Sequence, residues 1–151
     1  MALKDWKNLP DTSTPITADN LKNDGEYLKE YIDNSNTYST DEVRIGTWID
    51  GKPLYRKVIQ STLPETTADG IDATSDVSHN VSNIRRGTGT FIANAFFISA
   101  GYNSIPVPHV TSNINIRVGL QGTTNIRIHN NNTNCNGLTV FIILHYTKTT
   151  D

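Results

Sequence analysis

The stretch "LTVFIILHY", residues 138–146, constrains the fold of this chain more than any other part of its sequence. In an extended backbone, alternate residues from Leu138 to Tyr146 form one apolar face, and Phe141 and Ile143 make the opposite face apolar as well. A strand that is apolar on both faces is covered on both faces. Either it lies centrally in a sandwich under a second layer, or its outer face meets another subunit.

Shorter strand patterns precede this stretch. Asp50-Gly51 supplies the turn of a hairpin, since glycine readily takes the positive φ that such a turn requires. Residues 61–80 predict a long polar connection, and Pro106 and Pro108 predict a loop over 101–109, because proline cannot lie in a central strand. The segments with strand patterns are 43–49, 53–59, 81–86, 90–99, 113–119 and 125–129.

Composition favours the same class of fold. Hydrophobic residues make up 36% of the 151 residues and charged residues only 19%, so neutral side chains carry the polarity, with 17 Asn and 20 Thr. Threonine favours strands and asparagine favours turns. We expect a mainly β protein with many loops, in which residues 39–151 form an antiparallel β domain. Residues 1–38 are expected to form a linker and a short helix.

The helix is predicted from Thr17, which is a suitable N-cap. Leu21, Leu28 and Ile32 then share one helical face, while Gly25 weakens the pattern and predicts a split into two short helices. Such a marginal helix needs a partner to pack against, in this domain or in another subunit.

An Asn-dense tract, "HNNNTNCNG" at residues 129–137, separates the last two strand patterns. A linker, a ligand-binding tip and a plain hairpin loop are all possible. We expect it to cap a hairpin, because asparagine tolerates left-handed backbone and Asn136-Gly137 is a turn signal. Within the tract, Cys135 is expected to be a small buried apolar side chain.

Several function classes are disfavoured. A net charge of −2 gives no field that attracts nucleic acid or an anionic membrane. The N-terminal residues lack the apolar core of a signal peptide, and no run is long enough to span a bilayer, so we expect synthesis in a cytosol without membrane insertion. Spacing of the four histidines and the single cysteine indicates no metal site, no cofactor motif is present, and we expect no enzymatic activity.

Four segments resemble structural proteins of bacteriophages that infect Gram-positive bacteria. "KDWKNLPDTSTPITADNLK" (4–22) is similar to their N-terminal linker, and "STDEVRIGTWIDGKPLYRKVI" (39–59) to the hairpin that opens the C-terminal head of their fibre or receptor-binding proteins. "VSHNVSNI" (77–84) resembles an "HGISNI"-type segment, with Asn80 where glycine is usual. The ending "FIILHYTKTTD" (141–151) resembles "LEYTKTTD", with His145 in place of the usual acid.

The resemblance implies a virion surface protein, made in the bacterial cytoplasm and commonly a homotrimer, that attaches to the host cell surface by binding carbohydrate. It further implies that residues 39–151 form a jelly-roll-like β-sandwich head, and that residues 1–38 anchor the chain or trimerise it. The N-terminal segment would then contact other virion proteins. A capsid, collar or decoration protein without a ligand is the alternative, and a glycan hydrolase is a third. Amide, imidazole and phenol groups suit sugar hydroxyls, and the candidate ligand contacts are His79, Asn80, Asn83, Tyr102, His109, Asn130, Asn131 and Asn132.

Overall fold

The structure is a computed structural model that describes residues 22, 25, 26, 28–30, 32, 33, 36–85, 89–99 and 102–150, excepting the side chains of residues 102 and 103. The chain divides into two compact units, Met1–Thr37 and Tyr38–Asp151. Each unit is described separately below.

In the first unit, the described residues between 22 and 36 are helical, including Gly25. Salt bridges between residues four positions apart join Lys22 to Glu26 and Lys29 to Asp33. Such exposed pairs add little to the stability of a helix, because solvent screens the two charges. Leu28 and Ile32 are 48% and 58% exposed. The predicted N-cap at Thr17, and Leu21, lie outside the described residues.

The described residues of the second unit form nine strands and one short 3₁₀ helix. Their bounds are β1 Val43–Thr47, β2 Pro53–Thr62, β3 Ala73–Ser78, β4 Thr90–Ser99, β5 Tyr102–Val107, β6 His109–Val110, β7 Asn115–Gln121, β8 Asn125–Asn130, η1 Thr133–Cys135 and β9 Thr139–Tyr146. The predicted hairpin around Asp50-Gly51 is confirmed as β1 and β2, and Gly51 has φ +83°. The last strand is confirmed as β9.

Two antiparallel sheets are formed, which confirms the predicted β-sandwich class. The first has five strands in the order β1-β2-β9-β4-β5, and the second has four in the order β3-β8-β7-β6. As in a jelly roll, strands distant in the chain pair with each other: β2 with β9, and β3 with β8. β9 occupies the centre of the five-stranded sheet.

The core lies between the two sheets. Alternate side chains of β9 point into it, and those from Val140 to Tyr146 are completely buried. The second sheet supplies Ile116 of β7, together with Ile126 and Ile128 of β8, all equally buried. Alternate side chains of these three strands therefore face the core, and full burial of each such side chain stabilises the fold by about 1.5–3 kcal/mol.

Three predictions about the path of the chain are wrong. Residues 101–109 are not all loop: they include β5, an edge strand that tolerates Pro106 because no strand of the described residues pairs with its outer side. Residues 61–80 are not all connection, since β3 lies among them. Residues 81–85 form no strand, only an isolated bridge between Ile84 and Lys148.

The Asn-dense tract does not cap a hairpin, because β8 and β9 belong to different sheets. It crosses from one sheet to the other through η1, and several hydrogen bonds join it to residues 63–70. The amide of Asn136 accepts from the Thr66 N–H at 3.0 Å and donates to the Thr66 carbonyl at 2.9 Å. Cys135 is buried, as predicted, and burial raises the pKa of its thiol.

Candidate functional site

The outer face of the five-stranded sheet is apolar at its centre. Phe141 of β9 lies between Phe96 of β4 and Gln60 of β2, and Ile143 lies next to Val58 of β2. The rings of Phe96 and Phe141 stack with their centroids 5.3 Å apart. These side chains lie on the side of β9 opposite the core, so the four-stranded sheet does not cover them.

A groove of about 490 Å³ lies over these side chains. None of the described residues that line this groove is charged. Its lining residues are Tyr38, Ser39, Thr40, Val58, Phe96, Phe141 and Ile143. Depletion of charge with enrichment of aromatic side chains is the composition found at the centre of protein interfaces. The groove is therefore a candidate interface.

One edge of this sheet is poorly suited to pairing with another chain. Pro106 of the edge strand β5 lacks a backbone N–H, as edge strands that avoid pairing often do. At the opposite side, the carbonyl of Ser39 accepts a hydrogen bond from the N–H of Val58 at 2.7 Å, which extends the pairing of the β1 region along β2.

His145 lies beyond Ile143 on the same outer face. Its ring meets the ring of Phe91 edge-on, with centroids 5.3 Å apart, and its Nε2 is buried with no hydrogen-bond partner among the described residues. Burial lowers the pKa of His145, and the nearby Arg56 guanidinium lowers it further. This imidazole is consequently held neutral at neutral pH. Arg56 itself lies 4.0 Å from the ring centroid of Tyr38.

Among the predicted contacts, His79 and Asn80 line a second cavity, of about 440 Å³, with Ser78, Val81, Ser82 and Thr124. His79 is 3% exposed: its Nδ1 accepts from the Val81 N–H, and its Nε2 lies 3.1 Å from the Thr123 carbonyl, to which it donates. These bonds fix the loop after β3 to the turn between β7 and β8. His79 thus shapes the cavity wall.

Asn80 and Asn83 both adopt left-handed backbone, with φ of +50° and +56°. Asparagine and glycine are the residues that take this conformation at least cost. Asn83 also donates from Nδ2 to the Thr150 hydroxyl at 3.0 Å, which ties this loop to the end of the chain. Asn80 accepts from the Ser78 hydroxyl at 2.8 Å and is exposed at the cavity.

Asn130, Asn131 and Asn132 use their side chains within the protein. Asn130 is completely buried; its Nδ2 donates to the Pro64 carbonyl at 2.9 Å and its Oδ1 accepts from the Asn132 N–H. The Oδ1 of Asn132 caps η1, and the Oδ1 of Asn131 accepts from the Asn115 N–H at 2.6 Å. These bonds hold the crossing between the sheets, and ligand contact by these three residues stays a prediction.

Tyr102 and His109 lie apart from the others. Tyr102 begins β5, and its side chain is not among those described. His109 begins β6 and is half-buried, with its ring centroid 6.1 Å from that of Phe97. The structure therefore brings together His79 and Asn80 at one cavity, with Asn83 in the same loop. It does not join them to the Asn-dense tract in one site.

The sequence reasoning did not identify Val58 and Phe96 as parts of a shared surface. The sequence does contain a signal for this surface, the adjacent pair Phe96-Phe97 in β4. Because neighbouring residues of a strand face opposite sides, two adjacent aromatic residues indicate that both faces of the strand are apolar. In the described part of the chain, no cluster of three or more His, Cys, Asp or Glu residues forms that could hold a metal ion. No helix among the described residues is long and apolar enough to cross a membrane.

Comparison of the chain with family models, with curated proteins and with solved structures gives no match.

Proposed function

We propose that this protein is a structural component of a bacteriophage virion, a fibre or receptor-binding head that attaches the particle to carbohydrate on the host cell surface. The observation that carries the proposal is the apolar outer face of β9, with its groove over Phe141 and Ile143. A face of this kind in a domain that already has a complete core favours contact with another copy of the same chain.

The proposed assembly is a homotrimer. The groove's lining, as far as the chain is described, carries no charge, so a second copy can cover it without desolvating an ionised group there. Several copies on one particle would also raise the strength of weak glycan binding by avidity. The N-terminal unit, by resemblance, joins the head to other virion proteins, and the partly exposed Leu28 and Ile32 are apolar side chains suited to such a contact.

The left-handed backbone of Asn80 supports the resemblance in one further respect. The similar phage segments have glycine at this position, and glycine and asparagine are the two residues that best tolerate a φ of +50°. A replacement of one by the other therefore preserves the loop. This is a physical reason for the difference between this chain and the similar segments.

A purely structural role without a ligand is the second candidate. It is favoured by the internal hydrogen bonds of Asn130 and Asn132, because amides engaged in the fold are poorly placed to bind sugar. In that case the protein would still form a trimer. It would not bind host cell-wall material.

Binding to cell walls separates the two candidates. We expect the purified full-length chain to sediment with intact cell walls from a panel of Gram-positive bacteria, and to be released by polysaccharide extracted from the wall that binds it. An unrelated β-sandwich protein of similar charge serves as control. Absence of binding to every wall in the panel would contradict the attachment function and leave the structural role.

A further inference from the structure

The outer face of the four-stranded sheet has the opposite character to the face that carries the groove. The register of β3, β8 and β7 places nine outward side chains in three rows, and each of the nine is polar or glycine. The rows are Thr74, His129 and Arg117; Asp76, Arg127 and Gly119; and Ser78, Asn125 and Gln121. The face therefore offers donors and acceptors in place of apolar area.

Two arginine–aspartate pairs organise this face. Arg127 donates from both Nε and Nη2 to the two carboxylate oxygens of Asp76, each at 2.8 Å, which is the bidentate arrangement that fixes both groups most firmly. Arg117 donates from Nη2 to Asp72 at 2.8 Å, and His129 lies 3.0 Å from the same carboxylate. The four charged side chains remain about one third to one half exposed, so a ligand can reach them.

Gly119 lies in the middle of this face without a structural reason to be glycine. It lies inside β7 with no positive φ, and a Cβ built on it meets no atom within 4 Å. Glycine within a strand destabilises it by about 0.5–1 kcal/mol relative to alanine, and such a residue often marks close approach by a ligand. Here the missing side chain leaves an open hollow beside Arg127, its partner across the strands.

The cavity at the loop after β3 continues this face. Ser78 belongs to both: it ends β3 in the third row, and it lines the 440 Å³ cavity with Asn80 and Thr124. The polar face and the cavity thus form one surface that leads from Asp72 and Arg117 to Asn80.

We infer that this surface, centred on Gly119 between the Arg117–Asp72 and Arg127–Asp76 pairs, is a binding site for a neutral saccharide with neighbouring hydroxyl groups. Each sugar hydroxyl both donates and accepts, and the site presents guanidinium donors next to carboxylate acceptors. The carboxylates already neutralise the arginines, so an anionic sugar gains little attraction here. This inference rests on the proposed attachment function, for which it names the ligand class and the site.

The test uses the full-length chain and a panel of soluble neutral oligosaccharides (glucans, galactans, mannans and rhamnans), with uronic acid oligosaccharides as the anionic arm. Binding is followed by NMR on ¹⁵N-labelled protein. We expect amide shifts confined to residues 117–121, 125–129 and 74–80. Gly119→Val should weaken binding at least about tenfold, because its side chain fills the hollow; a tenfold loss corresponds to about 1.4 kcal/mol. Thr47→Val, an exposed change on the other sheet, should bind normally.

Arg117→Gln provides a second variant should Gly119→Val fail to fold. Its affinity for the oligosaccharide should also fall about tenfold or more, since a charged hydrogen-bonding group is removed.

If a neutral oligosaccharide binds but both variants bind it unchanged, the site is wrong while the attachment function stands. Binding of uronic acid oligosaccharides alone would overturn the ligand class. If no saccharide binds while the protein still sediments with cell walls, the inference fails and the attachment function survives; failure of both assays would overturn both.

Discussion

Phe96 and Phe141 stack across adjacent strands on the outer face of the five-stranded sheet, with ring centroids 5.3 Å apart and planes inclined by 26°. Neither ring contributes to the core between the sheets, which Phe97 and Val140 fill from the opposite side of the same strands. The pair therefore builds a second apolar surface on a domain whose core is already complete. This surface is the physical basis for proposing that the chain assembles with copies of itself.

Stability should depend strongly on Asn130. Its buried amide satisfies the Pro64 carbonyl and the Asn132 N–H, so Asn130→Ala leaves buried backbone groups without partners. We expect the free energy of unfolding to fall by about 1–3 kcal/mol. Urea denaturation measures it, and Asn134→Ala, an exposed change in the same tract, is the matched control. Equal effects of the two variants would show that the tract is not held by Asn130.

Two glycines should respond in opposite ways to alanine. Gly51 turns the β1–β2 hairpin at φ +83°, so Gly51→Ala should lower the free energy of unfolding by about 1–2 kcal/mol. Gly119 has neither positive φ nor a neighbour within reach of a new Cβ, so Gly119→Ala should leave stability unchanged or raise it by up to about 1 kcal/mol. Thermal unfolding followed by circular dichroism distinguishes them. A destabilised Gly119→Ala would show that the fold needs this glycine.

Stability should fall as the solution becomes mildly acidic because of His145. The folded state lowers the pKa of this buried imidazole, whereas the unfolded chain binds a proton at the ordinary pKa near 6.5. Below about pH 6.5 the unfolded state therefore carries more protons, and folding loses free energy as the pH drops. His145→Leu should reduce the dependence of the free energy of unfolding on pH in this range. His109→Gln retains His145, so its free energy of unfolding should still fall as the pH drops. If stability were independent of pH in both variants, the loss of stability could not be assigned to His145.

Cys135 should be unreactive in the folded protein. It is 7% exposed, and burial with the nearby Asp69 raises the pKa of its thiol, so little thiolate is available for attack. A disulfide reagent such as Ellman's should react within minutes in denaturant and far more slowly in native buffer. Rapid reaction of the native protein would show that the crossing between the sheets opens readily.

Much of the fold could be predicted from local sequence. The β1–β2 hairpin follows from Asp50-Gly51, and β9 from its uninterrupted apolar residues, because both signals lie within short windows. β3 was missed because its inward positions, Ala73, Ser75 and Val77, are mostly small and give weak alternation. β5 was missed because the position of Pro106 on an edge strand depends on sheet order, which no short window contains.

The sites were harder to predict, because they depend on pairing between distant parts of the chain. Arg117 and Arg127 lie in segments with predicted strand patterns, whereas their partners Asp72 and Asp76 lie in what was predicted to be a long polar connection. Only the register of β3 against β8 brings these charges together. The same holds for the Asn-dense tract: composition indicates a turn, whereas burial of Asn130 against Pro64 follows from the crossing between sheets.

The oligomeric mass of the full-length chain in solution is the most direct test of the central claim. Sedimentation equilibrium should give three times the chain mass of 16.7 kDa. Phe141→Asp, which places a charge in the apolar groove, should yield folded monomer, and Val110→Asp, at a 66% exposed position on β6, should remain a trimer. A monomeric wild-type protein, or a trimer that Phe141→Asp leaves intact, would contradict assembly through the outer face of β9.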